Sequence, residues 1–162
     1  MKNYEVTVKE CDYSNIDDLE AIGFLINAYI GDEMGGGELL DEHQKIMLAD
    51  ELNKHPKSIV LLASVGESRC GMLIAFENFS TFTVKPMINI HDVIVLKERR
   101  GKRIGHALMD AVIAVAERRN CSRLTLEVRK DNAIAQHLYK SKGFDIPEDD
   151  MFYWRKYLSV GN

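Results

Sequence analysis

The amino-acid sequence predicts one domain of the α/β (α+β) class, with a mixed, mostly antiparallel central sheet and helices on both faces. Its 162 residues suit a single domain and contain no repeat, low-complexity tract or linker. Apolar residues alternate in some segments and recur at helical spacing in others, which predicts the order β-α-α-β-β-β-α-β-α-β. The strand–helix–strand unit from residues 87 to 128 predicts a right-handed parallel crossover in the otherwise antiparallel sheet.

The individual elements follow from this periodicity and from their boundary residues. Ser14 is the expected N-cap of the first helix, and Pro56 ends the second. A glycine-containing turn at residues 66–69 joins two apolar runs, which predicts a β-hairpin. The predicted elements are the strand Tyr4–Lys9, the helices Ile16–Ile30 and Asp41–Lys54, the strands Ser58–Val65, Cys70–Phe76 and Met87–Leu96, the helix Gly105–Arg119, the strand Ser122–Val128, the helix Asn132–Lys142 and the strand Phe152–Leu158.

Composition argues against several functional classes. The net charge of −4 opposes nucleic-acid binding by the whole surface. The three cysteines are widely spaced without a CxxC pair, so they are interpreted as reduced thiols, and no zinc site is expected. The first residues do not resemble a signal peptide, and no apolar run approaches the roughly 20 residues that span a bilayer. We therefore expect a cytoplasmic protein that uses no metal ion, nucleic acid or membrane.

A basic, glycine-containing turn lies between the strand ending at Leu96 and the following helix. Five of the seven residues from Lys97 to Arg103 are basic, against an acidic background. Glycines and a helix N-terminus present backbone N–H groups to an anion, so the turn is a candidate phosphate-binding site. It contains neither a Walker A motif nor a dinucleotide-binding fingerprint. A solvated basic helix start remains the alternative at this point.

The segment Asn132–Phe144 adds a second candidate surface. Asn132 stands at a predicted helix N-cap, and Gly143 is suited to the residue after the helix. Ala135 and Tyr139 fall within two turns, so a small side chain and a phenolic hydroxyl share one region of the helix surface.

The R-x-x-x-x-G turn at Arg100–Gly105 and the N-x-x-A-x-x-L-Y-x-x-x-G-F helix at Asn132–Phe144 resemble the GNAT family of N-acetyltransferases. The resemblance covers most of the chain. It implies acetyl-CoA as the acyl donor, a bulged strand around Val93 and a gap between that strand and the next. Arg103 departs from the pattern, because the family usually has glycine there. The residues implied to bind the cofactor are Val93, Ile94, Val95, Arg100, Gly101, Lys102, Arg103, Ile104, Gly105, His106, Asn132, Ala135 and Tyr139.

The resemblance also implies the catalytic roles. Tyr139 matches the tyrosine that protonates the departing CoA sulfur, and a tyrosine with its ordinary pKa of about 10 is protonated at neutral pH. His91 occupies the position of the base in the polyamine acetyltransferase branch, and histidine has a suitable intrinsic pKa. Alternating strand geometry predicts that His91 and Asp92 face opposite sides of the sheet. Packing by Tyr139, and a structural His91 with a water relay, are the alternatives.

Acidic residues suggest the acceptor. A field of carboxylates attracts a cationic amine, so direct acetyl transfer to a small primary amine such as a polyamine or diamine is expected. A peptide or protein amine is the second hypothesis, and a non-catalytic acyl-CoA-binding module is the third. The resemblance also allows a homodimer, although no stretch identifies an interface. The carboxylates are Asp32, Glu33, Glu38, Asp41, Glu42, Glu148, Asp149 and Asp150.

Overall fold

The computed structural model describes residues 5–147 and 152–158. Local periodicity accounts for the helices, and paired apolar runs account for the strands. The elements are β1 (Val6–Glu10), α1 (Ile16–Ile30), α2 (Glu42–Lys54), β2 (Ser58–Val65), β3 (Ser68–Ser80), β4 (Lys85–Val95), a short 3-10 turn (Lys97–Arg99), α3 (Ile104–Arg118), β5 (Leu124–Leu126) and α4 (Ala133–Ser141).

The described strands form one sheet in the order β1-β2-β3-β4-β5. Neighbouring strands are antiparallel from β1 to β4, whereas β4 and β5 are parallel. The predicted fold class is therefore confirmed, including the parallel crossover through α3.

Helices cover both faces of the sheet. A Cβ at Gly71 of β3 would lie 2.9 Å from Ile104 of α3, so this glycine lets α3 pack closely on one face. Phe76, which has the opposite orientation along β3, stacks edge-on with His55 at the end of α2 at 4.9 Å. The α1 and α2 helices therefore lie on the face opposite α3. The buried core runs through both layers and includes Leu25, Leu73 and Leu108, each 0% exposed.

Helix caps differ in one place from the prediction. The N-cap of α1 is Asn15, whose side chain accepts a hydrogen bond from the Asp17 N–H, whereas the hydroxyl of Ser14 donates to Asp12. Asp41 caps α2 in a capping box with Gln44, which is why that helix begins at the following residue.

The C-terminal strands differ more. The predicted strand Ser122–Val128 is reduced to three residues, because β5 pairs with β4 only from Ile88 to Ile90. The predicted strand Phe152–Leu158 is not formed within residues 152–158, where every side chain is exposed. Aromatic composition favours a strand only when a partner supplies hydrogen bonds and buries one face, and residues 152–158 have neither.

The predicted start of the first strand at Tyr4 lies outside the described residues. No helix among the described residues has the length and apolarity needed to cross a membrane.

Candidate functional site

The turn between β4 and α3 presents a row of backbone N–H groups without protein acceptors. Gly101 has a φ of 76°, and a Cβ there would meet no atom within 4 Å, so the turn is open. No side chain caps α3, and its first turn carries no acidic residue. Within the described residues, no hydrogen bond from the N–H groups of residues 101–106 is formed. Free N–H groups at a helix N-terminus favour an anion, so the backbone fits the predicted phosphate contact.

Arg103 has a structural role that the sequence did not reveal. It is the N-cap of α3 and adopts the left-handed conformation, with φ 61° and ψ 14°. This conformation costs an L-residue about 1–2 kcal/mol, whereas glycine adopts it freely. The turn therefore needs a left-handed residue at the position where the resemblance places glycine. The side chains of Arg103 and Lys102 are exposed and free to reach a phosphate.

The following residues of α3 contribute in different ways. The Ile104 side chain is 1% exposed and belongs to the core, so only its N–H group can reach a ligand. A Cβ at Gly105 would lie 3.0 Å from Leu138 Cδ2, so this glycine lets α4 pack against α3. His106 is half-buried, and burial, followed by the charge of Arg103, lowers its pKa.

Arg100 connects the basic turn to the loop after α1. Its Nε donates to the Val95 carbonyl at 3.2 Å, and its Nη2 donates to Asp32 Oδ2 at 2.7 Å. A hydrogen bond from the Met34 N–H is the largest cause that holds the pKa of Asp32 below its ordinary value, and the hydrogen bond from Arg100 is the second. Arg100 thus lies at the end of β4, beside the turn, with its guanidinium shared between the sheet edge and this loop.

The edge of β4 is partly free. The Leu96 N–H donates to the Cys70 carbonyl at 3.0 Å, so the backbone groups of Leu96 and of Ile94, two residues earlier, face β3. Those of Val93 and Val95 therefore point away from β3. β3 occupies the backbone of Ile94 and its side chain is 3% exposed, so this residue offers less to a ligand than its neighbours do, and its contact with the cofactor stays a prediction.

A gap opens beside this free edge. The last pair between β4 and β5 joins Ile90 to Leu126, whereas β4 continues to Val95. The N–H and C=O groups of Val93 therefore have no strand partner on that side among the described residues. An extended ligand can add to such an edge as a further strand.

A β-bulge in β4 changes which side chains share a face. The register shift between Ile74 and Ala75 of β3 leaves His91 as an extra residue in β4. Asp92 is paired with Ile74, and Phe76 lies on the same face as Ile74. The His91 ring stacks edge-on with Phe76 at 4.9 Å. His91 and Asp92 therefore both face the α1–α2 side, and the prediction of opposite sides is wrong because a bulge interrupts the alternation.

The α4 helix positions Tyr139 through its caps. The Asn132 side chain accepts a hydrogen bond from the Ala135 N–H at 3.1 Å, so its carbonyl oxygen is occupied by the N-cap. Gly143 has a φ of 84°, and the Phe144 N–H returns to the Tyr139 carbonyl at 3.1 Å, which closes the helix in a Schellman motif. The Phe144 ring lies 6.1 Å from the Tyr139 ring. Cofactor contacts by Asn132 and Ala135 stay predictions.

Tyr139 belongs to a half-buried cluster with Tyr29 of α1 and Asp92 of β4. Burial is the main cause that raises the pKa of Tyr139 to about 12, and the charges of Tyr29 and Asp92 raise it further. This phenol therefore stays protonated at neutral pH. Burial, followed by Asp92, also raises the pKa of Tyr29. Burial raises the pKa of Asp92, and the nearby His91 opposes that rise. Sequence reasoning did not single out Tyr29, because only the packing of α1 on the sheet brings it to this cluster.

A small cleft of about 140 Å³ lies at the point where β4 and β5 separate. His91 is exposed in this cleft, with one ring edge against Phe76. The tail residue Tyr153 closes one side of the cleft, although its segment is not part of the sheet. The lining residues are Asn89, Ile90, His91, Glu127 and Tyr153.

A larger open groove lies elsewhere, between β1 and the start of α1. Its volume is about 1020 Å³, and its lining includes Asp17, Asp18 and Arg69. Arg69 Nε donates to Asp18 at 2.7 Å, so the groove already contains an internal ion pair. None of the predicted site residues lines it, and we do not place the reaction there.

The predicted acidic field is weaker than the sequence suggests. Asp32 pairs with Arg100, Asp41 caps α2, and Glu42 pairs with Lys45 at 2.5 Å. Three of the acidic side chains between residues 31 and 42 therefore have structural partners. Glu33 and Glu38 are exposed, whereas Glu148, Asp149 and Asp150 lie outside the described residues.

Known proteins place these features in a family. The profile of the Acetyltransferase (GNAT) family matches residues 17–144. An uncharacterized N-acetyltransferase of Archaeoglobus fulgidus is 33% identical over 93 residues, which span 57% of this chain and 63% of that protein. The uncharacterized N-acetyltransferase YhfO of Bacillus subtilis is 26% identical over 128 residues, which span 79% of this chain and 84% of the relative.

Solved structures agree on the fold. AAC(6')-Iy in complex with the bisubstrate analog CoA-S-monomethyl-acetylneamine superimposes with a TM-score of 0.74 at 15% identity, covering 94% of this chain and 99% of that one. The ribosomal-protein-alanine N-acetyltransferase from Brucella melitensis biovar Abortus has a TM-score of 0.73 at 19% identity, covering 94% and 100%. At these identities the likeness establishes the fold and leaves the acceptor open. With its family profile, its sheet topology and its open basic turn, the chain belongs to the GNAT family of acetyltransferases.

Proposed function

We propose that this protein transfers an acetyl group from acetyl-CoA directly to a primary amine, and that the acceptor is a small cationic amine such as a polyamine or diamine. The observation that carries the proposal is the continuity of three features. The free N–H groups of residues 101–106 adjoin the free edge of β4, and the helix α4, which carries the half-buried Tyr139, packs against α3 at Gly105.

The chain's residues fit acetyl-CoA along this path. The turn supplies N–H donors for a pyrophosphate, and the exposed side chains of Arg100, Lys102 and Arg103 supply positive charge. The free backbone groups of Val93 and the N–H group of Val95 match an extended amide-containing chain, whereas the Val95 carbonyl already accepts from Arg100. When bound, acetyl-CoA supplies the activated acetyl group.

Tyr139 has the properties of a proton donor to the leaving sulfur. It is half-buried, its pKa is raised to about 12, and none of the described residues forms a hydrogen bond with its hydroxyl. A protonated phenol at this position can donate to a developing thiolate.

The size and charge of the site support a small cationic acceptor. The cleft of about 140 Å³ admits a narrow alkyl amine more readily than a folded segment. Glu127 places a carboxylate in its lining, and Glu33 and Glu38 add exposed negative charge in the loop after α1. Opposite charge raises the local concentration of a cationic substrate.

The test is a panel of acceptors with acetyl-CoA, with detection of released CoA thiol and mass spectrometry of the product. Putrescine, spermidine, an aminoglycoside and a peptide with an N-terminal alanine separate the acceptor classes. We expect the diamine and triamine to be acetylated best. Preferred turnover of the peptide would replace the small-amine proposal, and acetyl-CoA binding without turnover of any amine would favour a non-catalytic module.

The role of Tyr139 is tested by Tyr139→Phe. We expect kcat to fall by about 10²-fold, within the range for loss of a positioned acid, with no change in acetyl-CoA affinity by calorimetry. Tyr157→Phe is the matched control, because Tyr157 is 83% exposed in the C-terminal segment. Equal kcat values for the two variants would remove the proton-donor role from Tyr139.

A further inference from the structure

We propose that Asp32, in the loop after α1, is a positioning residue for Arg100, and that it holds the guanidinium in the orientation that receives the pyrophosphate of acetyl-CoA. This inference rests on the proposed acetyltransferase function. It adds to the donor site a residue that lies 68 positions before Arg100 in the chain.

The guanidinium of Arg100 is held from two sides. Its Nε donates to the Val95 carbonyl at 3.2 Å, and its Nη2 donates to Asp32 Oδ2 at 2.7 Å. A guanidinium carries five N–H donors in a planar fork, so these two contacts leave three for an anion. The Arg100 side chain is 43% exposed, so a ligand can reach those donors from solvent. One contact would leave the plane of the fork free to turn, whereas two contacts fix it.

Asp32 is itself fixed at the end of α1. Its Oδ1 accepts a hydrogen bond from the Met34 N–H at 3.0 Å, and its backbone carbonyl accepts from the Gly35 N–H at 2.9 Å. Its own N–H donates to the Tyr29 carbonyl at 3.0 Å, and a Cβ at Gly35 would lie 1.9 Å from that same oxygen. The loop therefore packs directly on the last turn of α1. Because its backbone groups and its other carboxylate oxygen are engaged, Asp32 offers Arg100 an acceptor in a constant place.

The position of Arg100 gives this contact its consequence. Val95, which accepts from Arg100, is the last residue of β4 and lies at the end of the free strand edge. Gly101, which follows Arg100, begins the open turn whose N–H groups face outward. The guanidinium thus lies where the edge that suits the pantetheine arm meets the turn that suits the pyrophosphate. The end of α1 and the end of β4 together hold it there.

The surrounding charge allows a carboxylate at this point. A lone carboxylate beside an anion site would oppose the anion. The segment Lys97–Arg103 contains five basic residues and one acidic residue, so five positive charges face two negative charges when Asp32 is added. Hydrogen bonds from the Met34 N–H and then from Arg100 hold the pKa of Asp32 below its ordinary value, so the carboxylate is ionised at neutral pH.

The benefit of the contact is preorganisation. An arginine that must be ordered when the ligand binds loses side-chain freedom at that moment, and this loss weakens binding. In this protein the ion pair has already ordered the side chain before the donor arrives. Removing the ion pair should therefore weaken acetyl-CoA binding even though the removed group is negative and the ligand is an anion. The expected direction is opposite to the one that simple charge repulsion gives.

The informative variant is Asp32→Asn. The amide oxygen of asparagine can still accept from the Met34 N–H, whereas its NH₂ group cannot accept from Arg100. We expect the affinity for acetyl-CoA, measured by calorimetry, to fall about three- to fivefold. Asp50→Asn is the matched control, because it breaks an exposed ion pair with Lys54 on α2, and its affinity should equal that of the wild type. Unchanged or tighter binding by Asp32→Asn would overturn the proposal, and tighter binding would identify Asp32 as a competitor of the pyrophosphate.

A double-mutant cycle separates positioning from support of the loop. If Asp32 acts through Arg100, Asp32→Asn should cause no further loss of acetyl-CoA affinity in an Arg100→Ala background. A loss of the same size in both backgrounds would overturn the proposal, because Asp32 would then act through the fold of the loop. Full affinity in Arg100→Ala alone would overturn it as well.

A donor without a pyrophosphate supplies a second readout. With the best amine of the panel, Asp32→Asn should raise the KM for acetyl-CoA about three- to fivefold at unchanged kcat. The KM for S-acetylpantetheine should not change, since that donor has no phosphate for Arg100 to bind. Equal increases of KM for the two donors would overturn the positioning role.

The binding measurements keep this inference separate from the proposed function. If the wild type acetylates no amine, yet Asp32→Asn weakens acetyl-CoA binding only when Arg100 is present, the proposed function fails and the positioning role stands. If the wild type is an active acetyltransferase and Asp32→Asn binds acetyl-CoA as tightly as the wild type does, the positioning role is overturned and the function stands. If the wild type binds no acetyl-CoA, both are overturned.

Discussion

Replacing Arg103 with glycine should stabilise the protein. Arg103 adopts φ 61° and ψ 14°, a conformation that costs an L-residue about 1–2 kcal/mol. Its exposed side chain forms no hydrogen bond or ion pair with the described residues, so the substitution removes no contact there. Glycine also has more conformational freedom than arginine in the unfolded chain, which favours unfolding by about 0.4–1 kcal/mol and offsets part of the gain. The net expectation is a gain of about 0.5–1 kcal/mol in the free energy of unfolding.

Urea and thermal unfolding measure this gain, which corresponds to a rise of about 1–4 °C in Tm for a chain of this size. Arg103→Ala keeps the left-handed backbone and should leave stability nearly unchanged. Lys102→Gly is the matched control, because Lys102 has no positive φ and glycine there should destabilise by about 0.5–1 kcal/mol. If Arg103→Gly is no more stable than Arg103→Ala, strain at the start of α3 is not the reason that glycine suits this position.

Two further predictions concern charged side chains. Arg100→Ala should weaken acetyl-CoA binding by about tenfold in calorimetry, whereas Arg118→Ala at the exposed end of α3 should not; equal affinities would remove Arg100 from the phosphate site. The hydrogen bond from Lys57, with that from Arg119, holds the pKa of Glu77 below its ordinary value. The stability from this carboxylate is therefore present above the ordinary glutamate pKa of about 4.3 and is lost as pH falls through the lower folded pKa. Unfolding measured at several pH values should show that Glu77→Gln loses more free energy of unfolding at neutral pH than at acidic pH.

Local sequence patterns determined most of the secondary structure. The bounds of α1 and β2 agree with their predicted bounds, because each is set by its own periodicity and by adjacent turn residues. The caps of α4 were also readable, since Asn132 and Gly143 act on neighbouring backbone groups. The open basic turn was predicted for the same reason. These features depend on residues a few positions apart.

Other expectations failed where distant residues decide the outcome. The strand predicted at Phe152–Leu158 needs a partner strand, and β5 offers only three residues to the sheet. Pairing with β3 likewise decides which backbone groups of β4 stay free, and the sequence did not distinguish Ile94 from Val93 and Val95 in this respect. Strand pairing cannot be read from the composition of one strand.

The sequence by itself determined the family, the order of elements as far as α4 and the open basic turn, because these are encoded in short spacings of glycine, arginine and apolar residues. Only the tertiary structure decided which side chains meet beside the gap between β4 and β5. The bulge at His91 places Asp92 on the same face, and the packing of α1 brings Tyr29 towards Tyr139. Both depend on register and packing between segments far apart in the chain. The backbone conformation of Arg103 likewise belongs to the folded turn, where the path from β4 into α3 requires a left-handed residue whatever its side chain.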